Sequence, residues 1–211
     1  MIRKALVEYC APTLAGIKTG NIFSVKNDHM DINGEIRKLN RILVNKGLRL
    51  VPLRNKGNTT LIYLYRPERL KDDLGDPGAL EILREKGYPC GDTECCLVKL
   101  VNNLKSDDGF PHEIGLFLGY PPRKMRGGGP FPHEIGLFIG YPPEDVQGFI
   151  ENHARNYKCV GCWKVYSNER EARKTFDKYK RCTDIYNKES RCGKPLEALI
   201  VDTQSSVRFA V

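Results

Sequence analysis

Apolar residues recur at helical spacing over residues 31–46, where Ile32, Ile36, Leu39, Ile42 and Leu43 share one stripe and Gly47 follows as a stop. Two β-rich runs come next, 48–54 and 59–66, flanking Asn55-Lys56-Gly57-Asn58, which reads as a hairpin. Pro52 lacks an N–H and so pushes the first run to a sheet edge. Residues 77–86 read as a short helix closed by Gly87, and 93–105 as another, with Leu97, Leu100, Val101 and Leu104 on one stripe. A helix is expected over 143–152, a strand over 158–166 (KCVGCWKVY), and a long helix over 168–187 with Ala172, Phe176, Tyr179, Cys182 and Tyr186 along one face. Glu169 and Arg173 are spaced to pair on that helix. A hairpin interspersed with helices predicts an α+β fold: a small, mostly antiparallel sheet with helices packed on it, as a single domain over 1–192. The tail, 193–211, carries two apolar patches and joins no predicted element.

One stretch is repeated. Residues 110–122 read FPHEIGLFLGYPP and residues 131–143 read FPHEIGLFIGYPP, matching at twelve of thirteen positions at an offset of 21. Leu, Ile and Val interchange freely in strands, so shared structural constraint does not produce such identity, and a tandem copying event does. Extended, each copy alternates: His133, Ile135, Leu137 and Ile139 face one way, Glu134, Gly136, Phe138 and Gly140 the other. The second copy runs into Pro142-Pro143-Glu144-Asp145, suited to a helix's first turn. The first runs into a basic, glycine-rich linker, 123–129. The second copy is therefore expected to hold the structural position, with 109–130 a duplicated insertion.

Composition narrows the class. Of 211 residues, 40% are hydrophobic and 28% charged, which excludes a disordered tail, a collagenous repeat and a coiled-coil rod. The amino terminus meets Glu8 before any apolar stretch of signal-peptide length, and no apolar run approaches the roughly 20 residues of a membrane helix. A cytoplasmic protein with reduced thiols is expected, so the eight cysteines read as metal ligands, redox groups or buried small hydrophobes.

Three segments carry a family resemblance: the run from Cys10 through Lys18 (CAPTLAGIK) with Thr19-Gly20-Asn21, the FPHEIGLFIGYPPEDV stretch, and KCVGCWKVY with the later Lys180-Arg181-Cys182-Thr183. The chain resembles the domain of unknown function 3793 family, found in anaerobic bacteria. The likeness runs from near the start to about Thr183; the doubled motif and the tail beyond Cys192 depart from it. The resemblance implies boundaries and supplies no mechanism.

The residues themselves suggest chemistry at three places, without naming a reaction. Cys159-Val160-Gly161-Cys162 sets two thiols three apart, as in a metal knuckle or a redox dithiol. A strand from Cys159 to Tyr166 advances about 23 Å, and a helix returning from Asn168 to Cys182 covers about 21 Å, which brings Cys182 back to the pair. With Cys192 the pattern is C-x2-C-x19-C-x9-C, read as a zinc or iron–sulfur site, a thiol-redox centre, or buried cysteines. Cys10 precedes Ala11-Pro12-Thr13, which reads as a helix start. A thiol there has a lowered pKa and can act as a catalytic nucleophile on an anionic small molecule held by Lys18 and the backbone near Gly16 and Gly20. The third place is basic: residues 155–194 hold 12 Lys/Arg and 5 Asp/Glu, a nucleic-acid surface or a solvated helix face. His133-Glu134 and its copy His112-Glu113 are not a zinc-protease motif, since Leu137 stands where a second histidine is needed. The adjacent pair Cys95-Cys96 is too close for an ordinary disulfide and sits on an expected helix, with Cys96 a candidate to face the core.

Overall fold

The computed structural model describes residues 1–27, 31–105 and 133–202. The first copy of the repeat, the linker after it and the last apolar patch of the tail lie outside these residues. The fold is α+β, as expected. The chain forms two compact units, Met1–Leu70 with Asp177–Val211, and Lys71–Phe176.

In the first unit, α1 (Ile2–Leu14) leads to β1 (Gly20–Lys26), α2 (Ile32–Leu43) with a 3-10 turn Val44–Lys46, β2 (Arg49–Lys56) and β3 (Thr59–Tyr65), and α3 (Pro67–Leu74) begins in this unit and ends in the second. The sheet is antiparallel in the order β1-β3-β2. Thus β2 is an edge, where Pro52 sits exposed, and a bulge falls between Pro52 and Arg54. Asp31 caps α2 by accepting from the Gly34 N–H at 2.9 Å. The stripe Ile32, Ile36, Leu39 and Leu43 is buried, as the spacing requires, against Leu50, Ile62 and Leu64 of the sheet and Leu6 and Leu14 of α1. Full burial of such a side chain contributes about 1.5–3 kcal/mol. The Asn40 amide of α2 donates to the Leu50 carbonyl at 2.8 Å and accepts from its N–H at 2.9 Å, so the helix side chain satisfies the edge strand's backbone.

The second unit contains α4 (Pro77–Glu85), α5 (Thr93–Lys105), α6 (Ile135–Phe138), α7 (Pro143–Glu151) and the hairpin β4 (Cys159–Val160) and β5 (Lys164–Val165). A long helix, α8 (Glu169–Arg191), and a short one, α9 (Leu196–Leu199), complete the chain. Among the described residues no helix is long and apolar enough to cross a membrane.

Three expectations are corrected. The second repeat copy is the helical turn α6 and its flanks, with Glu134 through Ile139 all buried, so an alternating face never forms. A short apolar run of this kind reads equally as strand or buried helix, and the proline pair after it sets up α7. The strand expected over 158–166 reverses after two residues, with the Gly161 N–H donating to the Trp163 carbonyl at 3.0 Å. The helix expected to begin at residue 11 begins at Ile2 and contains Pro12.

Candidate functional site

Among the described residues no three His, Cys, Asp or Glu side chains are grouped so as to hold a metal ion, and none of the eight cysteines is in a disulfide. The reasoning that carried Cys182 back to Cys159 and Cys162 needed one eight-residue strand. The tight β4–β5 reversal removes that advance. Cys159 is buried, and burial pushes its thiol pKa up. Cys162 lies in the turn, and its carbonyl accepts from the Tyr141 hydroxyl at 2.8 Å. Cys182 is half-buried on α8 with its pKa raised by burial, and Cys192 is exposed beyond the helix end. Gly161, in the middle of the C-x2-C, is there for packing: a Cβ on it would collide with the Phe176 ring, which itself meets Trp163 edge-on at 4.6 Å between centroids.

The Cys10 site is also different from what the sequence predicts. Cys10 is fully buried inside α1, toward the helix's carboxyl-terminal end. Burial pushes its pKa up, with Lys18 only partly opposing it, so the lowered pKa of a helix-start thiol does not arise. The neighbourhood is built around helix carbonyls. The Arg66 guanidinium, 1% exposed, donates to the carbonyls of Thr13, Leu14 and Val201, each at 2.8 Å, and Arg69 donates to the Gly16 carbonyl. A helix's carboxyl-terminal end carries unpaired carbonyls and partial negative charge, which attracts cations. Lys18 is buried beside it, its ammonium 5.8 Å from the centre of the Tyr179 ring. This arrangement closes a helix with cations, where the sequence reading had an anion held.

The basic segment 155–194 consists largely of α8, whose charges are interleaved. Arg173 pairs with Glu169 at 2.6 Å, as the spacing predicts, Lys174 with Glu171 at 2.7 Å and Lys194 with Glu189 at 3.0 Å. These pairs engage three of the segment's twelve basic residues.

The second repeat copy builds one wall of a surface cleft. Glu134, buried, accepts from the Tyr88 hydroxyl at 2.8 Å, and Asn103 donates to the same hydroxyl at 3.2 Å. Burial, with the Glu134 carboxylate beside it, raises the Tyr88 pKa. After α6, residues Gly140-Tyr141-Pro142-Pro143 turn the chain into α7. Tyr141 is held by its hydroxyl and by its ring, 4.9 Å from that of Trp163. Asp145, 3% exposed, fixes the start of α7: one carboxylate oxygen accepts from the Trp163 indole N–H at 2.7 Å, the other from the N–H groups of Tyr166 at 2.8 Å and Ser167 at 2.7 Å. The wall so formed, with Leu137, borders a cleft of about 300 Å³ whose remaining lining is Asp72, Asp73 and Asp76.

One of these three carboxylates has a capping role. Asp76 caps α4, accepting from the N–H groups of Gly78 at 2.8 Å and Ala79 at 3.3 Å. Asp72 and Asp73 stand in the last turn of α3, where the helix dipole disfavours negative charge. The whole chain carries +8, so local acidity here runs against the overall charge. The aspartates escaped the sequence reading because Asp72-Asp73-Leu74-Gly75-Asp76 looks like an ordinary polar turn, and its partner wall lies some sixty residues later.

The amino-acid sequence matches a described family. The chain belongs to the protein family of unknown function DUF3793, whose sequence profile matches residues 6–127 and 122–200. No curated protein matches the chain, and no solved structure matches it.

Proposed function

We propose that the protein is a ligand-binding module whose acidic cleft takes a small organic cation, an aliphatic amine or diamine. The observation that carries this reading is the pairing of three carboxylates, Asp72, Asp73 and Asp76, with the apolar wall Leu137, Gly140, Tyr141, Pro142 and Pro143 around about 300 Å³. That size is at the lower end of small-molecule sites, and the mixture of a greasy wall with a few charged groups is what such sites use. An alkyl chain lies against the prolines and the tyrosine while ammonium groups meet carboxylates. The carboxylates are not grouped as metal ligands, which favours a cation whose charge is spread over separated ends. A bound ammonium also places positive charge at the carboxyl-terminal end of α3, where the helix dipole favours it. The wall is held in place before any ligand arrives, by Asp145 and Tyr141, which lowers the cost of binding.

Calorimetric titration of the full chain with putrescine, beside 1,4-butanediol as the uncharged analogue, tests this. Saturable binding of putrescine alone is expected, weakening with added salt and falling at least tenfold in Asp72→Asn/Asp73→Asn. Equal responses to the diol, or unchanged affinity in the double variant, would refute it. Asp76 is left intact because it caps α4.

A further inference from the structure

The sequence reading placed thiol chemistry at the carboxyl-terminal cysteines; the structure places a pair of thiols elsewhere. Cys90 lies in the turn between α4 and α5, and Cys96 in the first turns of α5. The Cys96 sulfur is 3.3 Å from the Pro89 carbonyl oxygen, and the Cys90 sulfur is 3.6 Å from the carbonyl oxygen of Tyr88, one residue earlier. Both sulfurs thus rest on consecutive carbonyls of one turn. The Pro89 carbonyl is bonded to the Cys90 nitrogen, so standard bond lengths put the Cys96 sulfur within about 6 Å of the Cys90 Cα. The staggered χ1 rotamers of Cys90 offer its sulfur other positions about that Cα. Cys95, although adjacent, is directed elsewhere: its exposed thiol donates to Asp92 at 3.2 Å. Gly91, with φ of +103°, supplies a backbone conformation open to few other residues and lets the turn close on itself.

We infer that Cys90 and Cys96 form a reversible oxidation site, joined as a disulfide by peroxides. The balance is simple. The Cys90 thiolate attacks one oxygen of hydrogen peroxide, the O–O bond breaks, hydroxide leaves and takes up the thiol's proton as water, and Cys90 becomes a sulfenic acid. The Cys96 sulfur then attacks that sulfur, an S–S bond forms, and the sulfenic oxygen leaves as a second water with the Cys96 proton. Two thiols lose two electrons and peroxide gains them. The order follows from exposure. Cys96 is buried and its pKa is pushed up to about 11, chiefly by burial, so it resolves and Cys90, half-buried, attacks. A dithiol reductant reverses the bond.

The test uses the reduced full chain treated with a small excess of hydrogen peroxide, then blocked and digested with trypsin and a glutamyl endopeptidase. Cleavage after Lys86, Glu94 and Lys99 leaves Cys90 on one peptide and Cys95 with Cys96 on another. The two peptides are expected to be joined, two mass units below the sum of the thiol forms, and to separate on treatment with dithiothreitol. Because Cys95 is exposed, Cys95→Ser keeps the fold intact, and the linked pair should persist in it at the wild-type level. Loss of the linkage in Cys95→Ser, or unlinked peptides with Cys90 left as thiol or taken to sulfinic acid, would overturn the assignment.

Discussion

The carboxylate of Asp145 and the indole of Trp163 are joined by a 2.7 Å hydrogen bond buried inside the second unit. The same carboxylate accepts two backbone N–H groups, from Tyr166 and Ser167, which begin the approach to α8. One side chain thereby ties the repeated motif to the hairpin that follows it. Asp145→Ala leaves one buried and two part-buried donors without their acceptor, and a buried group so left costs about 1–3 kcal/mol. A loss of about 3–5 kcal/mol is expected from urea unfolding. Asp145→Asn, which keeps the size and one acceptor oxygen, should lose less. Equal stability of Asp145→Ala and the parent chain would contradict this role.

Arg66 does in the first unit what Asp145 does in the second. Its guanidinium reaches carbonyls of α1 and the Val201 carbonyl, and burial lowers its pKa to about 10, still charged at neutral pH. A lysine carries the charge but not the planar fork. Arg66→Lys is expected to lower the melting temperature substantially, and Arg66→Ala by more, since the Thr13, Leu14 and Val201 carbonyls then lose the guanidinium altogether. A lysine variant that melts with the parent would show that charge alone suffices.

The protonation of His133 links stability to pH. Burial lowers its pKa, with Glu134 partly opposing and Lys86 and His153 adding to the effect. Its folded pKa is depressed below the unfolded value of about 6.5, so the unfolded chain binds the proton more readily. The neutral histidine contributes stability above pH 6.5 that is lost as pH falls through the folded pKa. Urea midpoints measured between pH 8 and pH 5 should therefore fall more in the parent than in His133→Gln. Parallel curves would remove His133 from the account.

Thiol reactivity should follow burial. Cys95 and Cys192 are exposed, while Cys10 is enclosed with its pKa raised. Iodoacetamide at neutral pH is expected to label Cys192 readily and to leave Cys10 untouched until the chain unfolds. Rapid labelling of Cys10 in the folded protein would restore the reading of it as a nucleophile.

The repeated stretch makes a further test simple. Removing residues 110–130 deletes one repeat length and joins Gly109 to Phe131, preserving the second copy and everything after it. We expect the shortened chain to melt within about 4 °C of the parent, a shift equivalent to about 1 kcal/mol at this size. Collapse of the fold on this deletion would mean that both copies are structural.

Local rules made much of the fold legible. The Asp31 cap and the stripe from Ile32 to Leu43 define α2 unaided, the Asn55–Asn58 turn defines the hairpin, and Pro52 marks the edge. Where competing rules applied, the outcome turned on tertiary packing. Pro12 suggests a helix start but lies inside α1, whose apolar face is buried in the core regardless. The alternation in HEIGLFIG fits a strand, yet every residue from Glu134 to Ile139 is enclosed, so alternation carried no information about faces. The strand β1 has no two-residue turn to announce it and is recruited by pairing with β3. The cleft was invisible for another reason: its acidic and apolar walls meet only through packing of segments far apart in the chain.

The most direct test of the cleft is a backbone amide spectrum followed through a putrescine titration. Saturable shifts concentrated at Asp72, Asp73, Asp76, Gly140 and Tyr141, and absent with 1,4-butanediol, are predicted. Shifts spread over the acidic residues of α8, or none at Gly140 and Tyr141, would contradict the account.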